Sequence, residues 1–138
     1  MKNTARRQPR KPTNDEVLIA RAEAALESLS SHFAGWMNEE CRRLEAIGRS
    51  IQAGERSPEA LDALYRAAHD LKGEAATFGY AAVAGSATAL CDILETLKKR
   101  GTVPAQAIGA FIADIRAAVD ARHQTADTLR QRSDRARD

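Results

Sequence analysis

The sequence predicts an all-α fold: an antiparallel up-down-up-down four-helix bundle with an additional N-terminal helix. Three observations lead there. Alanine fills 28 of the 138 positions and aromatic residues only 4 %, so the core must be built from small and aliphatic side chains. Ala, Leu, Glu and Arg are strong helix formers, and β-branched residues are scarce. Apolar residues recur at alternating three- and four-residue intervals, with Gly and Pro between the periodic stretches. No strand pattern, internal repeat or low-complexity block competes with this.

Five helical segments follow from that punctuation. The first spans about Asn14 to Leu29 and sets Leu18, Ala22, Ala25 and Leu29 on one face. Asn14 is the expected N-cap, with Asp15 and Glu16 placed against the helix dipole. The second spans about Ser31 to Ala53, with a stripe of Phe33, Met37, Leu44, Ile47 and Ile51, and stops at Gly54. Ser57-Pro58-Glu59 starts the third with a capping hydroxyl, a proline at the first helical position and an acid. Its apolar positions are Leu61, Leu64, Ala68, Leu71, Ala75 and Phe78, before Gly79. The fourth runs from about Tyr80 to Arg100 through Val83, Ala87, Leu90, Leu94 and Leu97, and Gly101 ends it. Pro104 opens the fifth, which buries Ile108, Phe111, Ile115 and Val119 and fades near Leu129. Segments of about 20 residues are about 30 Å long, and short loops oblige consecutive ones to lie antiparallel.

The length suits one domain. The formal net charge of +2 hides a division. Residues 1–14 carry five basic side chains and no acid, the last eleven residues carry +2, and residues 15–127 carry −5. The expected organisation is a disordered basic tail over 1–13, the bundle over 14–129 and a frayed charged tail over 130–138. A basic arm can bind nucleic acid, but no aromatic residue interleaves these charges to stack on bases, so nucleic acid is not an expected partner. No apolar run reaches the roughly 20 residues that cross a bilayer, and no signal-peptide core follows the start. A cytoplasmic protein without membrane association is expected. Cys41 and Cys91 have neither disulfide-framework nor metal spacing and read as small apolar residues at helix interfaces.

The chemistry concentrates in the third segment, over Tyr65-Arg66-Ala67-Ala68-His69-Asp70-Leu71-Lys72-Gly73-Glu74-Ala75-Ala76-Thr77-Phe78-Gly79-Tyr80. The buried stripe passes through Ala68, Leu71 and Ala75, which puts His69 on its flank and partly exposed. Tyr65, Lys72, Gly73 and Ala76 are its neighbours at helical spacing. Free imidazole titrates near ~6.5, so a histidine at neutral pH offers a nucleophilic nitrogen. A phosphorylated one carries close to two negative charges, which Lys72 one turn away can offset. Gly73 costs about 1 kcal/mol in mid-helix relative to Ala. Its return is a missing side chain beside the histidine, letting a partner's backbone come close.

His69-Asp70-Leu71-Lys72-Gly73, followed by Ala75, Phe78 and Gly79, resembles the H-x-x-K-G signature of histidine-containing phosphotransfer (HPt) domains. These are helical bundles that relay phosphoryl groups in bacterial and fungal multistep phosphorelays. The resemblance covers roughly residues 15–127 and is sharpest from Leu64 to Leu94. It implies that His69 is the phosphoacceptor through an outward-pointing Nε2, Lys72 its charge partner and Gly73 the clearance position. Tyr65 and Ala76 join Gly73 on the receiver-facing surface. For Tyr65, shielding of the imidazole, a nearby hydrogen bond and plain flank packing all remain open.

The partners so implied are a response-regulator receiver domain, which brings its own aspartate and Mg²⁺, and a hybrid or sensor histidine kinase. The chain itself is expected to need no cofactor or metal. It reads as a phosphocarrier without a kinase ATP site, since nothing Gly-rich or phosphate-cradling occurs. Glu74 departs from the small residue common at its position in the family, and at i+5 from His69 it is expected to turn aside. A monomer is expected.

His32 and His123 read as surface residues. His123 and Asp127 share i,i+4 spacing, but two ligands without a third rarely hold a metal. Trp36 and Met37 read as core or as the seat of the first helix. The alternative function is a phosphorylation-independent adaptor binding a receiver or kinase through the same face. A module of a chemotaxis-type kinase fits the motif but not the length.

Overall fold

In the computed structural model, which describes residues 10–137, four α-helices follow in order: α1 (Asn14–Gln52), α2 (Pro58–Thr77), α3 (Ala81–Arg100) and α4 (Ala105–Arg137). No strand occurs among the described residues. The expected disordered tail lies mostly outside them, and residues 10–13 carry no regular structure. The chain divides into two compact units, one through Phe33 and one from Ala34 onward.

In the first unit a reciprocal cap starts α1. The Thr13 hydroxyl accepts from the Glu16 backbone N–H at 3.2 Å, and the Glu16 carboxylate accepts from the Thr13 N–H at 3.2 Å. The cap is therefore Thr13 and not Asn14, because the T-x-x-E spacing lets both side chains reach back. Arg10 adds an ion pair to Glu16 at 2.6 Å. Leu18, Ile19, Leu26 and Leu29 are exposed, as are Ala22 and Ala25. His32 donates from Nδ1 to the Ser28 carbonyl at 2.7 Å, on an exposed turn.

The expected boundary at Ser30–Ser31, and with it a separate N-terminal helix, is absent: α1 is helical throughout. Serine in a helix costs only a few tenths of a kcal/mol relative to Ala, about 0.5 kcal/mol. Two serines with no Gly or Pro beside them do not offset the cooperativity of a helix already propagating.

In the second unit all four helices contribute to an apolar core. Met37, Cys41, Leu44 and Ile51 of α1 are buried, with Leu64, Ala68, Leu71 and Ala75 of α2. Val83, Ala87, Leu90 and Leu94 of α3 join Ile108, Ile112, Ile115 and Val119 of α4. No polar or charged residue is fully buried among the described residues. Phe78 departs from the expected stripe. It forms the C-cap of α2 and stands 45 % exposed, since the chain leaves the helix there. Phe111 is half-buried, because Ile112 takes the core position in α4. Ile47, Leu61 and Trp36 are likewise half-buried.

Local signals set the ends of α2 and α3. The Ser57 hydroxyl accepts from the Ala60 N–H at 3.1 Å ahead of Pro58. At the other end the N–H groups of Gly79 and Tyr80 reach back to the carbonyls of Ala76 and Ala75, with Gly79 at φ +80°. That is the left-handed closure which a side chain would strain. α4 continues past Leu129 to Arg137. No Gly or Pro follows Gly109 to stop it, and Thr125 and Thr128 satisfy their hydroxyls on carbonyls of the preceding turn.

Side chains of α1 and α4 meet at small residues and one charged cluster. A side chain at Gly48 would come within 2.5 Å of Ile112, and one at Gly109 would run into Gln52. Arg116 of α4 donates to Glu45 at 2.7 Å and to Asn38 at 3.1 Å, both on α1, with its side chain 25 % exposed. This semi-buried group, in which one guanidinium serves two partners on α1, is stronger than a solvated ion pair.

Cys41 and Cys91 are free thiols, both buried. Burial pushes the Cys41 thiol from 9.0 up to about 11, against an opposing pull from Arg116. Below pH 9 the thiol is protonated in both the folded and the unfolded chain. Above it the unfolded chain loses the proton first, so stability falls as pH climbs through the window from 9 to about 11. Chemical denaturation of wild type and Cys41→Val across that window should show wild type losing stability relative to the variant. Parallel curves for the two proteins would remove the thiol from the account.

Candidate functional site

At 3.6 residues per turn, Tyr65, His69, Lys72, Gly73 and Ala76 fall within an arc of about 100° on α2. The buried stripe of Leu64, Ala68, Leu71 and Ala75 occupies the adjoining arc. His69, Gly73 and Ala76 are exposed, and Tyr65 and Lys72 are half-buried. The structure thus brings all five expected residues onto one face, carried by a helix whose rotation its own core residues fix.

The His69 imidazole stacks on the Tyr65 phenol, with ring centroids 6.0 Å apart and planes inclined by 26°. That lies inside the range of favourable offset aromatic pairs. No hydrogen bond to His69 occurs among the described residues. Tyr65 in turn donates its hydroxyl to the Glu95 carboxylate of α3 at 2.9 Å. The hydrogen bond to Glu95 raises the phenol above its ordinary value of 10.0. Sequence reasoning missed Glu95. A signal existed, since residues 65 and 95 lie equally far on either side of Tyr80, where α2 turns into α3.

Lys72 forms no ion pair among the described residues, and its charge lowers the neighbouring Cys91 thiol against the larger, opposing effect of burial. Gly73 is open: a Cβ built there meets nothing within 4 Å. Close packing inside this chain therefore does not require the glycine. The Thr77 hydroxyl donates to the Gly73 carbonyl at 2.9 Å, and α2 stays helical on both sides of its glycine.

Glu74 lies about 140° round the helix from His69. It is half-buried, and burial raises its carboxyl above 4.5, with Glu40 of α1 and Asp70 adding to the shift. The acid thus turns aside from the histidine.

His123 corrects the expectation of a surface histidine. Its ring meets Tyr80 edge-on, with centroids 6.1 Å apart, and its Nε2 is shut off from solvent with no hydrogen-bond partner among the described residues. The cause is local. Arg122 lies over the buried Tyr80 ring at 4.7 Å and donates to the Gly79 carbonyl at 3.1 Å, which seats this turn of α4 on the end of α2. His123 and Asp127 belong to no group of three potential metal ligands, and no such group occurs among the described residues. No helix among the described residues is long and apolar enough to cross a membrane.

An all-helical chain that presents a histidine, a lysine and a glycine in this order on one exposed helical face has the parts of a phosphoryl carrier. The family model of the Hpt domain matches residues 16–131, and the chain belongs to that family, whose members transfer phosphoryl groups in phosphorelay signalling. No match was found among curated proteins or among solved structures.

The Glu74 environment gives a stability prediction. A carboxyl raised in the folded state favours folding at low pH and loses that contribution as pH rises through its titration. Glu74→Gln should therefore raise the melting temperature at pH 7 and leave it unchanged near pH 3. An equal shift at both pH values would show that desolvation of the charge is not the cause.

Proposed function

We propose that this chain is a histidine phosphotransfer protein, an intermediate that accepts a phosphoryl group on His69 and exchanges it with the aspartate of a receiver domain. One observation carries the proposal. An exposed histidine stands one turn before a mid-helix glycine at which a side chain would meet nothing among the described residues. Glycine costs a helix about 1 kcal/mol relative to Ala, and close approach of a partner is the gain that offsets it.

In this reading the neutral imidazole holds its proton on Nδ1 and attacks phosphorus through the Nε2 lone pair. The N–P bond forms as the P–O bond to the receiver's carboxylate breaks, and the aspartate leaves with the electron pair. The Nδ1 proton, more acidic in the product, then passes to solvent. The reverse sequence returns the group to an aspartate. Lys72 offsets charge on the transferred group, as preorganised cations do in phosphoryl transfer. Gly73 and Ala76 leave the surface low, and the receiver brings its own Mg²⁺. A hybrid or sensor histidine kinase stands upstream.

The working part is residues 14–129, as a cytoplasmic monomer whose four helices run alternately up and down. Support for that order comes from α1 and α4, where Gly48 meets Ile112 and Gln52 meets Gly109, so that the number falls along one helix as it rises along the other. Tyr65 with Glu95, equidistant from the turn at Tyr80, fits the same relation between α2 and α3. Rigidity is the bundle's contribution, since most of the rate comes from positioning.

Two measurements test the proposal. Incubation with a phosphorylated receiver should give acid-labile, alkali-stable label on wild type and none on His69→Gln; label persisting on that variant ends the assignment. Gly73→Ala should stabilise the fold by up to about 1 kcal/mol. The bulkier Gly73→Val should cut transfer from the receiver at least about tenfold while phosphoramidate, a small donor, still labels His69. Equal losses with both donors would mean that the glycine serves the histidine's chemistry and not a partner's approach.

A further inference from the structure

We infer that Glu95 and Tyr65 form a positioning pair for His69: the carboxylate on α3 fixes the phenol, and the phenol's face fixes the plane of the imidazole. The inference rests on His69 being the phosphoacceptor.

A tyrosine on a partly open helical face is free to turn about two side-chain bonds, and its hydroxyl sits at the far end of that lever. Tying the hydroxyl to Glu95 at 2.9 Å on a neighbouring helix removes this freedom. The acceptor is a carboxylate, so the bond is of the stronger, charge-assisted kind. His69 one turn on then lies against a ring of fixed orientation, at 6.0 Å and 26°. No hydrogen bond holds the imidazole among the described residues, so the stack is the contact that orients it.

The geometry suits the reaction. Stacking engages a face of the imidazole, whereas the Nε2 lone pair lies in the ring plane. The phenol can therefore hold the ring without standing in the path of an in-line transfer. An electron-rich aromatic face also favours the positive charge that the ring gains when the N–P bond forms. The Glu95 carboxylate, by accepting the phenol's hydrogen bond, makes that face more electron-rich. Glu95 acts through Tyr65 and makes no hydrogen bond or ion pair with the imidazole among the described residues.

A double-mutant cycle on the full chain tests this, with initial rates measured at increasing concentrations of a phosphorylated receiver domain that labels wild type. Tyr65→Phe and Glu95→Ala should each lower the maximal rate about threefold, the scale of one hydrogen bond, and leave the half-saturating receiver concentration unchanged. The double variant should be no slower than either single one, because both break the same link. Glu95→Gln, which keeps an acceptor oxygen, should restore the rate to within about twofold of wild type. Tyr65→Ala should lower the rate about tenfold and move the His69 ring-proton resonances as the ring current is lost. Losses that multiply in the double variant, single variants at the wild-type rate, or an effect confined to half-saturation would overturn the positioning role. His69→Gln runs alongside: label on it overturns the phosphoacceptor reading itself, a result the cycle cannot produce.

Discussion

The rotation of α2 about its own axis is the constraint on which the rest depends. Leu64, Ala68, Leu71 and Ala75 are each fully enclosed, and two of the four are alanines. Small side chains bring helix backbones close and leave little slack for a helix to roll. A roll of a few tens of degrees would expose a leucine or drive His69 toward the core. The same interdigitation that stabilises the bundle therefore sets where the imidazole points, and Tyr65 and Glu95 refine that direction from outside the core.

The remaining contacts support that frame at its ends and on its far side. Gly79 closes α2 in the left-handed conformation, and Arg122 takes up its carbonyl while lying over Tyr80. One turn of α4 is thereby committed to the point where α2 becomes α3. Arg116 does similar work between α4 and α1 through Glu45 and Asn38. Its surroundings are only partly dry, so the group helps fix which residues face each other without the large desolvation penalty of a fully buried ion pair.

How much of this was legible in the sequence follows from the range of each cause. Ser57-Pro58, Gly79 and Gly101 act within a few residues, and the boundaries they mark stand where the sequence places them. The face holding His69, Lys72 and Gly73 follows from helical spacing alone. Ser30–Ser31 misled because a weak helix former was weighted as a breaker. By residue type Asn14 is the better cap, and the reach of Glu16 back to Thr13 decides against it. Phe78 and Phe111 depended on how each helix is turned toward its neighbours, which apolar periodicity leaves open by a residue. Glu95 and the enclosed Nε2 of His123 depend on partners from another helix, which local spacing does not name; for Glu95 only its equal distance from the turn at Tyr80 offered a hint.

Gly73 has a consequence for anyone who would engineer this domain. The open space around its α-carbon makes it the kind of position where heat-challenge screens and consensus-style redesign insert alanine. On the proposed reading, libraries sorted on thermal endurance alone would begin to fill the space kept for a receiver while the melting temperature rose. The helix would then be a little weaker than its own fold requires at the place where a partner approaches.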